Sequence, residues 1–180
     1  MIIKNALIYT ENHRFEKKDV RIRNERITQI AENGQFTDPD ENVIDGEGLY
    51  AIPGLVDIHF HGAVGHDFCQ ASKEELLKIA EYEAANGVLA ICPATMSYNE
   101  EILGKVMDKA ADYNEESGAD LVGINMEGPF IDLKKAGAQN PEYIMPADKE
   151  MFLSLQERSG GLIKLVDIAP EEKGAMDFIE

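Results

Sequence analysis

Ile52-Pro53-Gly54-Leu55-Val56-Asp57-Ile58-His59-Phe60-His61 is an apolar run that ends in two histidines one residue apart. Side chains repeat their direction every second residue along a strand, so His59 and His61 would point to one side and could hold a single metal ion between them. A second run, Asp120-Leu121-Val122-Gly123-Ile124-Asn125-Met126-Glu127-Gly128-Pro129-Phe130, also carries an apolar strand into a lone charged group, Glu127. Both charged ends would lie at one edge of the same sheet. Two blander readings compete: a solvated His-x-His pair, and a glutamate that caps the next turn. Strand burial weighs against both, because a buried charge needs a compensating partner.

The pattern around these runs sets the fold class. From Ala51 onward, residues 52–60, 88–92, 121–126 and 163–168 are strand candidates separated by helical patterns. Ser72 followed by Glu75 is a capping-box pattern, and Leu76, Leu77, Ala80 and Ala84 then make an apolar face that stops at Asn86-Gly87. A second helix follows Tyr98-Asn99 and uses Ile102, Leu103, Val106, Ala110 and Tyr113. A third covers 148–158 with Met151, Phe152 and Leu155 inward. Right-handed crossovers put helices outside and continuous apolar strands inside, which leaves an open α/β sheet or a (β/α)8 barrel. In a barrel the C-terminal strand ends converge on one mouth, as the placement of His59, His61 and Glu127 requires. Four strands cannot close a barrel of eight, so residues 51–180 are expected to form its first half.

The first 50 residues follow a different rhythm. Ile2, Ile3, Leu7 and Ile8 suggest a strand, and Val20, Ile22, Ile27 and Ile30 flank a turn at Asn24-Glu25, so residues 1–50 read as part of a small antiparallel β domain. His13 falls here and looks structural or solvated. His66, in the loop Gly62-Ala63-Val64-Gly65-His66-Asp67, is a candidate substrate contact, and an ordinary loop histidine fits equally well. Met126 reads as core.

Composition removes whole classes of function. With 34 acidic against 17 basic residues, the formal net charge of −17 argues against nucleic-acid binding and offers no basic stripe for a phosphate backbone. Two cysteines, Cys69 and Cys92, do not make a disulfide scaffold, and a reducing cytoplasm is the expected compartment. No apolar stretch is long enough to span a bilayer, and Met1-Ile2-Ile3-Lys4-Asn5 lacks a signal-peptide core.

The first run, continued to Gly62, resembles the first barrel strand of the metal-dependent amidohydrolase superfamily, and Met126-Glu127-Gly128-Pro129-Phe130 resembles the third-strand signature of N-acetylglucosamine-6-phosphate deacetylases. Cys92-Pro93-Ala94-Thr95, Lys134-Lys135-Ala136-Gly137-Ala138-Gln139-Asn140-Pro141 and Leu165-Val166-Asp167-Ile168-Ala169-Pro170-Glu171 extend the likeness from end to end. It implies the N-terminal half of a two-domain enzyme: part of a small β domain, then a partial amidohydrolase-type (β/α)8 barrel. Glu127, His59 and His61 would be metal ligands, for Zn2+ first and Fe2+, Co2+ or Mn2+ under other metal supplies. The substrate would be a phosphorylated N-acetylated amino sugar, hydrolysed to glucosamine 6-phosphate and acetate, and the full-length form a homodimer. Two further histidines, from the fifth and sixth strands, and a proton-handling aspartate from the eighth have no counterpart in these 180 residues. Gln139 stands where the family usually has a histidine that polarises the acetamido carbonyl, so Gln139, with the adjacent Asn140, becomes the candidate substrate contact. Glutamine offers a neutral amide donor and cannot become a cation. Two readings rival this one: another amidohydrolase, such as a dihydroorotase or dipeptidase-like enzyme, and an inactive or structural fragment lacking half of the barrel.

Overall fold

The computed structural model describes residues 1–24, 26–37, 42–114 and 117–180. These separate into two compact units, Met1–Pro53 and Gly54–Glu180.

The first unit is a five-stranded sheet of β1 (Ile2–Tyr9), β2 (Phe15–Arg23), β3 (Arg26–Glu32), β4 (Val43–Asp45) and β5 (Tyr50–Ala51). β1 to β3 form the expected antiparallel meander, in which Arg23 pairs with Arg26. Of the expected turn, Asn24 is left-handed at φ 49°, and Glu25 lies outside the described residues. The sheet is mixed rather than antiparallel, because β4 and β5 both run parallel to β1. Ala51 pairs with Ile8, so this unit continues past residue 50. Buried Asp19 holds the corner of the meander, with Oδ1 accepting from the Asn5 N–H and Oδ2 from the Gly34 N–H. His13 sits at the β1–β2 turn, 3.1 Å from the Tyr9 hydroxyl, far along the chain from the barrel strands.

The second unit contains the barrel strands: β6 (Leu55–Asp57), the small hairpin β7 (Gly62–Ala63) and β8 (His66–Asp67), α1 (Lys73–Ala85), β9 (Val88–Ile91), α2 (Glu100–Ala111), β10 (Asp120–Leu121), β11 (Ile124–Glu127), α3 (Lys149–Arg158), β12 (Ile163–Asp167) and α4 (Ala175–Ile179). Strand order decides between the two architectures. β6 pairs with β9, β9 with β10, and β11 with β12, all parallel. Beyond the named strands, Ala94 bridges Asn125 in parallel, and the Ala94 N–H donates to Phe60 O. Consecutive β/α units are therefore neighbours in chain order, as in a barrel. A doubly wound sheet would reverse its order at a switch point, and none of these pairings does so.

The helices begin where their caps dictate. The Ser72 side chain accepts the Glu75 N–H while Glu75 Oε2 accepts the Ser72 N–H, closing the capping box. Asn99 and Asp148 cap α2 and α3 in the same way, each side chain taking the N–H three residues on. α1 buries Leu76, Ile79, Ala80 and Glu83, whereas Leu77 and Ala84, expected on its apolar face, are only half-buried. Gly104 interrupts α2 for a packing reason: a Cβ there would lie 1.8 Å from Arg158 Nη1, and Arg158 crosses this point of α2 to grip both Asp108 carboxylate oxygens.

The main core unites Phe68, Leu76, Ile79, Leu103, Met107, Ile124, Met126, Phe130 and Leu155 between helices and strands. The four barrel strands are less buried than a closed barrel demands. Leu55, Val56, Ile58, Leu89, Val122 and Leu165 are all exposed, because among the described residues no further strands face them. The expected strand 52–60 is also shorter, and the expected 121–126 is split in two around Gly123.

Candidate metal centre

β6 and β11 deliver the three expected ligands to one point. His59 and His61 follow β6 at the mouth end, Glu127 ends β11, and a ligand atom from each lies within 4.8 Å of the others. Glu127 Oε2 is 3.1 Å from His61 Nε2 and 3.4 Å from His59 Nε2, and the two imidazoles meet edge to face at 5.4 Å between centroids. Metal–ligand bonds of about 2.0–2.2 Å in a tetrahedron put neighbouring ligand atoms about 3.3 Å apart. The two distances from Glu127 match that edge.

Hydrogen-bond directions test the fit independently. Glu127 Oε2 is buried and accepts no hydrogen bond, despite the two nearby ring nitrogens. His61 Nδ1 is 3.3 Å from the Ala94 carbonyl, which can only accept, so Nδ1 carries a hydrogen, and a neutral ring would turn its Nε2 lone pair toward Glu127. With His61 neutral, its Nε2 and Glu127 Oε2 would converge as two acceptors beside His59 Nε2. A divalent cation satisfies that arrangement, and the three donors suit zinc and the borderline first-row ions. The donor set alone does not choose among those ions.

Two neighbours were not singled out from the sequence. Asn125, buried inside β11, lies 3.1 Å from His59 Nδ1 through its Nδ2. Asp167 ends β12 in register with Glu127, and burial, then the Glu127 charge, pushes its carboxyl above the usual range, while His59 pulls it back. The available signal was polarity within apolar strands: each interrupts a run otherwise read as core.

The remaining candidates sit apart from this group of three. Gln139 is buried, with Oε1 accepting the Ser97 N–H at 2.7 Å and Nε2 pointing to Met96 Sδ at 3.8 Å, so it joins the loop after β9 to the loop after β11. Gly128, at φ 69°, lies so close to this loop that a Cβ would fall 2.0 Å from Ser97 Oγ. Asn140 is exposed, and its Oδ1 takes the Glu142 N–H. His66 Nδ1 approaches Glu75 Oε1 at 3.3 Å, tying the β7–β8 hairpin to the start of α1. An open pocket of about 360 Å³ runs along residues 61–67 and so adjoins His61. At its rim the β-branched Val64 holds φ 48°, a sparsely populated conformation for such a side chain. Cys69 and Cys92 are free thiols, and burial pushes Cys69 up to about 11, which rules it out as a ready nucleophile at neutral pH.

No family model matches the chain. Among curated proteins it is 32% identical over 184 residues to the N-acetylglucosamine-6-phosphate deacetylase of Bacillus subtilis, covering 99% of this chain and 46% of that protein. To the deacetylase of Lysinibacillus sphaericus it is 29% identical, covering 100% of this chain and 46% of the relative. Among solved structures, the N-acetylglucosamine-6-phosphate deacetylase of Thermotoga maritima superposes with a TM-score of 0.79 at 26% identity, over 99% of this chain and 45% of that one. The Mycobacterium smegmatis deacetylase shares the fold with a TM-score of 0.87 at 22% identity, over 99% and 46%. The chain spans about half the length of these relatives. Along nearly its whole length it resembles the N-terminal half of the N-acetylglucosamine-6-phosphate deacetylases.

Proposed function

We propose that this chain is the cation-holding portion of a deacetylase site for N-acetylglucosamine 6-phosphate, and that it does not turn over that substrate by itself. One observation carries the reading: His59, His61 and Glu127 converge at the mouth of a barrel-ordered parallel sheet, with a buried carboxylate oxygen that accepts no hydrogen bond. His59 and His61 would hold the ion through Nε2 and Glu127 through Oε2. Zn2+ is the ion we assign, and when bound it would supply Lewis-acid polarisation of an amide carbonyl. The chain's own groups then hold the substrate. Gln139 Nε2 has only a thioether beside it and keeps donor capacity for a carbonyl, while His66 and the exposed Asn140 are proposed sugar contacts. Hydrolysis also needs a group that takes and returns a proton at the amide.

The retained likeness and the half-length coverage favour a cation-binding part over a self-sufficient enzyme. Two free cysteines support a reducing, cytoplasmic setting. No described helix is long and apolar enough to cross a membrane. The test pairs two measurements on the 180-residue protein: zinc titration, and acetate release from N-acetylglucosamine 6-phosphate with zinc present. Binding that disappears in Glu127→Gln, together with no acetate release, is expected. Zinc-dependent turnover near a typical ~10 per second would overturn the proposal, as would zinc binding that survives loss of all three ligands.

A further inference from the structure

Asn125 is the only polar side chain between Ile124 and Met126 in β11, and it is 4% exposed. Its backbone is held on both sides, since its N–H donates to Pro93 O and its carbonyl accepts the Thr95 N–H, each at 2.9 Å. The side chain can therefore turn but hardly shift. Its Nδ2 lies 3.2 Å from Ile58 O and 3.1 Å from His59 Nδ1. Ile58 O can only accept, so without an ion Nδ2 is the end of the amide that faces the pair, and His59 Nδ1 receives the second hydrogen bond. A neutral ring that accepts at Nδ1 carries its hydrogen on Nε2, the atom that faces Glu127. His61, bonded through Nδ1 to Ala94 O, carries the opposite tautomer. Asn125 Oδ1 is meanwhile buried without a hydrogen-bond partner.

We infer that Asn125 is the positioning residue of the cation site: it holds the His59 ring from behind, and its unpartnered Oδ1 is the acceptor for the Nδ1 hydrogen once Nε2 binds a cation. The inference rests on the cation-site reading above. When Nε2 takes the ion it releases its hydrogen to solvent, and Nδ1 takes one from solvent, so the ring stays neutral and the proton count is unchanged. The side-chain amide then turns over, exchanging its hydrogen bond to Ile58 O for one in which Oδ1 accepts from Nδ1–H, at the cost of setting Oδ1 beside that carbonyl. Ligand histidines are generally oriented by an acceptor of this kind on the far ring nitrogen, and its loss costs about 10–100-fold in metal affinity.

The experiment uses the 180-residue protein, zinc chloride as the probe, calorimetric titration for affinity and histidine ring 15N shifts for tautomer. Before zinc, His59 Nδ1 should show an acceptor-type shift and His61 Nδ1 an N–H-type shift. After zinc, both Nδ1 atoms should be N–H type, with the Asn125 side-chain NH2 signals displaced. Asn125→Leu should weaken zinc binding about tenfold or more. Asn125→Asp, which presents an oxygen at either rotation, should bind zinc at least as tightly as the parent. An Asn125→Leu affinity within twofold of the parent overturns the inference, as does an N–H-type His59 Nδ1 in the zinc-free parent. The parent ring shifts decide the matter even if Asn125→Leu does not fold. A parent protein that binds no zinc would instead overturn the cation-site reading, and this inference with it.

Discussion

Replacing Gln139 by methionine tests what a family-marking position does in this chain. Methionine nearly preserves the volume, so the packing change is small and the hydrogen bond is what is lost. Ser97 N–H would be left buried with no acceptor, since Gln139 Oε1 is its partner at 2.7 Å. An orphaned buried donor costs about 1–3 kcal/mol. With a urea dependence of about 2 kcal/mol per molar, the midpoint should fall by about 0.5–1.5 M. The protein has no tryptophan, so far-ultraviolet circular dichroism is the practical probe of unfolding. Amide exchange supplies a local check: Ser97 N–H should lose protection in the variant while the α2 amides keep theirs. A variant within about 0.5 kcal/mol of the parent, with Ser97 still protected, would refute the claim that Gln139 braces the two mouth loops.

Other expectations follow from the same geometry. His61→Asn should abolish measurable zinc binding in calorimetry, whereas His13→Asn, in the separate small sheet, should leave it unchanged. Burial, then the Asp57 charge, raises the carboxyl of buried Glu83 above its ordinary value of 4.5, so its ionised form is less stable in the folded chain than in the unfolded one. That unfavourable contribution is absent at low pH, where both states are protonated, and grows as pH rises above 4.5 through the folded value. Glu83→Gln should therefore gain stability over the parent between acid and neutral pH in paired urea titrations, and an equal difference at both ends would refute the assignment. The open edges of β6 and β12 and the exposed Leu55, Val56, Ile58 and Leu89 should make the 180-residue protein associate in sedimentation velocity. A soluble monomer across the micromolar range would contradict that.

Much of the barrel unit was legible because its signals are local. The capping box at Ser72 and Glu75, the caps at Asn99 and Asp148, and the alternation through His59 and His61 each need only a few neighbouring residues. Errors arose where the outcome depended on distant packing. Leu77 and Ile79 are equally apolar, and only the docking of α1 decides that Ile79 is buried and Leu77 half-buried. The parallel addition of β4 and β5 to β1 was hidden because short parallel strands carry no turn signal linking them to their partner. The three candidate ligands could be read as ends of apolar runs. Asn125 and Asp167 carried only the weaker signal of a polar residue in an apolar run, and their surroundings come from the neighbours that β6 and β12 bring beside β11. Gln139 was singled out through its motif, while its bond to Ser97 spans two loops that sequence spacing does not relate.

The ligands also bear on how this half-barrel holds its shape. His59 follows β6 and Glu127 ends β11, two strands that are not paired with each other, since β9 runs beside β6 and β11 joins β9 only through the bridge from Ala94. An ion gripping both would act as a cross-link between distant points of the chain, closing a loop of about 70 residues, for which chain entropy alone predicts about 4 kcal/mol. Folding of the unit would then be thermodynamically linked to free zinc, its unfolding midpoint climbing with the logarithm of ion concentration above the dissociation constant. In a half-barrel with exposed edges, such a cross-link is a source of mechanical closure that pairing between neighbouring strands does not provide.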